Sequence, residues 1–213
     1  MAKIDHHLHT SRHSPDSVIE PWELVERAKL AGLDAVVITE HDYQWKADEL
    51  ADLNAMADGL VVLSGVEVSA REGHFLVYGL PNLDGVGPGI TLADLLKVVK
   101  TQNAAIVAAH PFRWDQPFDE IVAQHGPVFD GVELVSNNVT PQTRARAEAL
   151  LRTTPMGVTG SSDGHDPEAV GCYYTEFPGE VKTIGDFVRS LRHGDGRPRH
   201  RAGAWQSSGP VDY

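Results

Sequence analysis

A single cysteine, Cys172, stands in a chain of 213 residues. It excludes an internal disulfide framework and leaves thiolate metal ligation without a second thiol. Basic charge is also short. Against 30 Asp and Glu there are 18 Lys and Arg, a formal charge of −12, which argues against a broad nucleic-acid-binding face and against long duplex nucleic acid as a partner. No apolar run approaches the roughly 20 residues that cross a bilayer. The segment before His6 is short and polar and lacks the form of a signal peptide. Repeats and low-complexity tracts are missing as well. These absences lead to the expectation of a soluble, cytoplasmic protein without a membrane partner.

What is present suits one domain with a sizeable core, at 41% hydrophobic residues. Short β-branched runs alternate with longer helical stretches, the mark of a parallel sheet with crossover helices. Strands are expected near 3–8, 34–39, 60–68, 73–80, 104–109, 131–135, 156–160 and 172–177. Helices are expected near 21–31, 45–57, 91–101, 118–124, 140–151 and 183–192. Polar clusters follow many of these strands at their C-terminal ends. That distribution favours a closed or distorted α/β barrel, because an open sheet gathers its site at one switch point. The barrel domain is expected over 1–193. Residues 194–213, rich in Gly, Pro, Ser and Arg, read as a polar C-terminal surface tail with a solvated basic run at Arg197–Arg201.

The clusters themselves carry the chemistry. In Asp5-His6-His7-Leu8-His9-Thr10, two histidines spaced i, i+2 on an extended segment point the same way and can bind one cation. His41 with Asp42, then Glu67, His110, and Asp163 with His165 follow later strands. Nitrogen and carboxylate ligands without thiolate suit Zn, Mn or Fe, with Mg possible. One ion uses about four to six ligands, so this set implies two or three divalent ions with a bridging carboxylate such as Glu67.

Asp5-His6-His7-Leu8-His9-Thr10, Ile38-Thr39-Glu40-His41-Asp42, Gly65-Val66-Glu67, Ala109-His110-Pro111 and Ser162-Asp163-Gly164-His165 resemble, in order, the motifs of the PHP (polymerase and histidinol phosphatase) domain family. The segment Glu72–Leu80 resembles its small stand-alone phosphoesterases. The resemblance implies a distorted TIM-like (β/α)7 barrel whose multinuclear metal centre hydrolyses phosphoesters. It also implies His7, His9, Glu67 and Asp163 around a first metal, Glu67 and His110 at a second, and His41 and His165 at a third. His6 departs from the family pattern and, alternating away from His7 and His9, is left unliganded. After the first motif, His13 and Asp16 compete for an added ligand position, with Asp16 favoured.

Other residues have competing readings. Asp5 either hydrogen-bonds a ligand histidine or closes a strand-end turn, and Asp42 either orients His41 or starts a helix. His74 and Glu133 each divide between the site and a solvated position. Arg113 offers a planar fork for a substrate phosphate against a surface salt bridge; Arg12 and Arg71 have weaker claims. Trp22, Trp45 and Trp114 read as packing residues, with Trp114 close enough to the site to touch a base or sugar. His125, His193 and His200 read as surface histidines. The expected reaction is hydrolysis of a small phosphorylated substrate, such as a nucleotide or short oligonucleotide end, by a metal-activated water. Arg113 would steady phosphoryl charge, and His165, His74 or Asp42 would supply the leaving-group proton. Amide or deamination chemistry is the second class, weakened because no Lys follows a strand end after Lys3. A non-catalytic module is the third.

Overall fold

A computed structural model describes residues 1–201. Nine strands form one sheet: β1 (Ala2–Leu8), β2 (Ala35–Ile38), β3 (Val61–Ala70), β4 (Gly73–Tyr78), β5 (Ala105–Ala108), β6 (Gly131–Val135), β7 (Val158–Gly160), β8 (Tyr173–Phe177) and β9 (Arg197–His200). Their order is β7-β6-β5-β4-β3-β2-β1-β8-β9. Helices α1 (Pro21–Leu30), α2 (Ala47–Met56), α3 (Leu92–Thr101), α4 (Phe118–His125), α5 (Pro141–Thr153) and α6 (Ile184–His193) occupy the connections. Local chemistry sets their ends. Pro21 and Pro141 sit at helix starts, Thr91, Thr140 and Thr183 cap with their hydroxyls, and Gly194 stops α6 in the left-handed region.

The sheet curls into a nearly closed, distorted barrel, but it is mixed rather than parallel. β4 runs antiparallel to both β3 and β5, and β8 runs antiparallel to β1. The reason lies in the turn at residues 71–72, too short for the crossover helix that a parallel neighbour requires. β9 is a second departure. Arg197–His200, placed in the tail by composition, adds antiparallel to β8; residues 202–213 of that tail lie outside the described residues. At the seam, buried Thr175 of β8 accepts from Gly160 N–H of β7 at 2.8 Å and donates to Gly160 C=O at 2.7 Å. One hydroxyl thus satisfies both polar groups of a strand-end residue.

Three apolar clusters follow from this curvature. Ile4, Val37, Leu76, Tyr78, Val107 and Phe177 fill the interior with Phe187, Val188 and Leu191 of α6. Outside, α1 and α2 pack over β1–β3, and α3–α5 over β3–β6. His6 belongs to the interior, on the face it shares with Ile4 two residues earlier; the β1–β2 register shifts between Asp5 and Leu8, and Leu8 lies in an outer cluster instead. His6 Nδ1 donates to Tyr78 Oη at 2.8 Å, and Tyr78 donates to His6 C=O at 2.9 Å. Gly65 makes that tyrosine position possible, since a Cβ there would stand 2.6 Å from Tyr78 Cδ1. Burial pushes the His6 imidazole down to about 4, so it is a neutral core residue without contact to the metal-ligand candidates. Among the described residues no helix is long and apolar enough to cross a membrane.

Candidate metal centre

Backbone stitches between neighbouring loops draw the strand ends together. His9 N–H donates to Gly164 C=O at 3.0 Å, Asp42 N–H to Glu67 C=O at 2.9 Å, and Glu67 N–H to Glu40 C=O at 3.1 Å. His7 and His9 therefore meet Asp163 and His165 of the β7 loop, while His41 meets Glu67. β4 enters from the other direction, so its first residues rather than its last reach the mouth, and His74 arrives there. Asp42, His110 and Asp163 carry φ of 52°, 25° and 50°. Left-handed backbone at non-glycine residues is costly and collects at functional sites.

Four buried side chains form the inner nest. His7 Nε2 lies 3.3 Å from Glu67 Oε2 and 3.3 Å from Asp163 Oδ1; His9 Nε2 lies 3.2 Å and 3.5 Å from the same oxygens. Two ligands about 2.05 Å from one tetrahedral ion stand roughly 3.3 Å apart. The edges of the nest match that separation. Moreover, His7 Nε2, His9 Nε2 and Glu67 Oε2 are buried without any hydrogen-bond partner, an arrangement that costs free energy unless something else satisfies it. The donor set fits a divalent cation.

Glu67 faces outward with its other oxygen: Oε1 lies 2.9 Å from His74 Nδ1 and 3.2 Å from His110 Nε2. A half-exposed rim completes the site. His41 touches Glu67 Oε2 at 3.1 Å through Nδ1 and Asp16 Oδ2 at 3.1 Å through Nε2, and His165 Nε2 approaches the same Asp16 oxygen at 3.2 Å. The rings of His41 and His165 stack on that of His9, with centroids 4.4 and 4.2 Å away.

Charges are strongly coupled here. Desolvation opposes the charge on His7, yet Asp163, Glu67 and Glu133 together hold it well above the usual histidine range. His41 behaves alike and rises to about 9 through Glu67 and Asp16. Burial works against the Glu67 carboxylate, but His7, His110 and His41 keep it well below the usual range. Asp16 is lowered by its bond to His165.

Buried partners behind the ligands fix their tautomers. His7 Nδ1 donates to Glu133 Oε1 at 3.2 Å; Ser161 Oγ donates to the same oxygen, and His110 N–H donates to Oε2 at 2.8 Å. His9 Nδ1 lies 3.2 Å from Ser14 Oγ, which donates to Glu40 Oε2 at 2.5 Å. Glu40 also accepts from Thr10 and from Trp45 Nε1, so this acceptor-only carboxylate leaves the Ser14 oxygen to receive His9 Nδ1–H. Both ring Nε2 atoms are left bare for a cation, as outer hydrogen bonds commonly arrange.

Of the residues picked out in the sequence, His7, His9, Asp16, His41, Glu67, His74, His110, Asp163 and His165 come together, with Arg113 at the edge, 3.7 Å from Asp163 Oδ2. His13 does not join them. It stacks on Tyr43 at 3.8 Å and meets Glu49 at 3.2 Å, whereas Asp16 meets His41 and His165. Asp42 is corrected: its Oδ1 accepts from Ser69 N–H at 2.9 Å and α2 starts only at Ala47, so it neither starts a helix nor hydrogen-bonds a site imidazole. Asp5 is corrected too. It accepts from the backbone N–H of Ser162 and Gly171, tying β1 to the β7 loop, rather than from a histidine ring. Glu133 is fully buried behind His7, not solvated.

Trp45 packs as expected, whereas Trp22 and Trp114 are exposed. Arg12 pairs with Glu49 and Arg71 with Gly89 C=O, outside the nest. Sequence reading missed Glu40 and Ser14. Glu40 lies inside a noted cluster and could have been found; Ser14 carries no sequence signal.

A strand-end nest of His, Glu and Asp on a distorted barrel fits a metal-dependent hydrolase. Residues 141–195 match the PHP-associated family model. An uncharacterised protein of Methanocaldococcus jannaschii is 29% identical over 119 residues, 52% of this chain and 68% of that protein. A 5'-3' exoribonuclease of Haemophilus influenzae is 35% identical over 105 residues, 48% of this chain but 37% of that enzyme. A solved two-domain protein from Bacteroides vulgatus, containing a predicted PHP-like metal-dependent phosphoesterase, superposes with a TM-score of 0.73 at 21% identity, covering 94% of this chain and 65% of that one. An amidohydrolase structure from Chromobacterium violaceum gives 0.65 at 19% identity, covering 95% and 99%. The chain thus spans about two thirds of the archaeal and Bacteroides relatives and little over a third of the exoribonuclease. The matched segment and the shared fold are what the chain has in common with PHP-like proteins.

Proposed function

We propose that the protein is a metal-dependent phosphoesterase acting on a small phosphomonoester: a nucleotide, the end of a short oligonucleotide or another small phosphorylated metabolite. The observation that carries this reading is the trio of buried, unpartnered atoms, His7 Nε2, His9 Nε2 and Glu67 Oε2, beside Asp163. His7, His9, Glu67 and Asp163 would hold one ion, Glu67 and His110 with His74 a second, and His41, His165 and Asp16 a third. The donor set suits Zn, Mn or Fe and admits Mg. Bound divalent ions supply Lewis acidity, which brings the pKa of a water towards neutrality and offsets charge on phosphoryl oxygens.

The chain's own groups position and neutralise. Arg113, at the rim, presents a planar guanidinium suited to forking onto a phosphate. Glu133 and the Ser14–Glu40 pair hold the His7 and His9 rings in one tautomer. With Asp42 committed to Ser69 N–H, the leaving-group proton falls to His165 or His74, the half-exposed imidazoles. The likeness to a 5'-3' exoribonuclease favours a nucleotide end, and the −12 charge disfavours long duplexes.

Amide hydrolysis is the second reading, favoured by the Chromobacterium violaceum neighbour. One screen separates the two. The purified chain is supplied with Mn, Zn, Fe or Mg and offered phosphorylated metabolites and amides. Release of phosphate, abolished in His9→Ala and Asp163→Ala, is expected. Turnover retained in either variant removes the metal mechanism, and product from amides alone transfers the assignment to the second reading.

A further inference from the structure

The turn after β5 is unusual in its backbone. His110, Phe112, Trp114 and Asp115 have φ of 25°, 67°, 51° and 57°, a conformation that bulky side chains rarely adopt. Several bonds hold it. Arg113 N–H donates to His110 C=O at 3.2 Å, Phe112 N–H to Gln116 Oε1 at 3.2 Å, and Gln116 Nε2 to Glu72 C=O at 3.1 Å. Phe112 is sunk in the core, edge-on to Phe118 and with the Arg146 guanidinium 4.0 Å from its ring.

Trp114 is the exception. It is 68% exposed, although an indole has much to gain from burial. The Arg113 guanidinium lies 4.0 Å from the centroid of its ring. The indole stands edge-on to His74 at 5.5 Å and His110 at 6.1 Å between centroids, and both of those imidazoles touch Glu67 Oε1. A cation-backed aromatic plate therefore borders the site. Such a plate stacks planar rings with little regard to their identity, and guanidinium contacts add to it.

We infer that Trp114 is the specificity residue for a substrate carrying a nucleobase, which stacks on the open face of the indole while its phosphate reaches the site beside Arg113. This rests on the phosphoesterase reading and narrows it to nucleotides over ring-free phosphoesters.

The test compares wild-type protein, Trp114→Ala and Trp114→Phe, each loaded with Mn, on a nucleoside 5'-monophosphate and on glycerol 3-phosphate. The ratio of the two kcat/KM values should fall roughly ten- to hundredfold in Trp114→Ala, through KM, and recover largely in Trp114→Phe. A parallel titration follows tryptophan fluorescence without turnover. The nucleotide should quench wild-type emission, and Trp114→Phe should lose that quenching. An unchanged ratio, or quenching that persists in Trp114→Phe, overturns the inference. Absence of phosphate release from every ester defeats the phosphoesterase reading instead, and the fluorescence titration still decides for or against the plate.

Discussion

His7 Nε2 and Glu67 Oε2 face each other across 3.3 Å in the buried interior, and neither atom makes a hydrogen bond. A close approach without hydrogen-bonding geometry is what two ligands of one ion look like from the protein side.

Cation binding should stabilise the fold measurably. A ligand at a hundred times its Kd adds about 2.7 kcal/mol to a folded state that alone binds it. For a chain of this size that raises Tm by roughly 5–10 °C. Thermal melts of chelator-treated protein, with and without Mn or Zn, check this; His7→Ala and Glu67→Gln should lose the shift while keeping a native far-UV spectrum.

The pH dependence of the metal-free protein has a definite sign. His7 is held well above the ordinary histidine range and His41 rises to about 9. A folded pKa above the unfolded value of about 6.5 gives stability that is full below 6.5 and fades as pH climbs through the folded value. Chelated protein should therefore lose Tm between about pH 6.5 and 9. Saturating metal, which displaces those protons, should flatten the slope and release protons on binding. Equal slopes with and without metal would contradict the assignment of these histidines.

Ser14 and Glu133 act on the centre through His9 and His7. Ser14→Ala and Glu133→Ala free a ring to flip its tautomer or turn, and removing such outer hydrogen bonds costs about ten- to hundredfold in metal affinity. Competition with a chelating dye measures it. Affinity unchanged in both variants would show that the rings are held by packing alone.

Thr175→Val tests the barrel seam. It leaves Gly160 N–H and C=O without the hydroxyl that serves both. A buried group left unsatisfied costs about 1–3 kcal/mol, or roughly 2–12 °C in Tm for this size. A melt within one degree of wild type would mean that the seam is fastened elsewhere.

Much of the centre was readable along the chain because parallel strands deliver their C-terminal ends to one mouth. His7, His9, His41, Glu67, His110 and Asp163 follow from that rule. His74 did not, since its strand runs the other way and offers its first residues to the site. Asp5 and Asp42 were misread because a short carboxylate beside a ligand looks the same in sequence whether it bonds a ring or a backbone N–H. Sequence only leaned to Asp16 over His13; in the fold Tyr43 and Glu49 draw the histidine away while Asp16 meets His41 and His165.

By itself the sequence determined which residue types could grip a cation and at which strand ends they stand, because side-chain chemistry and strand periodicity are local. Tertiary structure alone decided how the rings are held and where the barrel closes. Glu40 reaching His9 through Ser14, Glu133 behind His7, Thr175 across the seam and β9 beside β8 are contacts between distant segments. No local pattern encodes them, since each exists only once the chain has folded and the groups have no water left to bond.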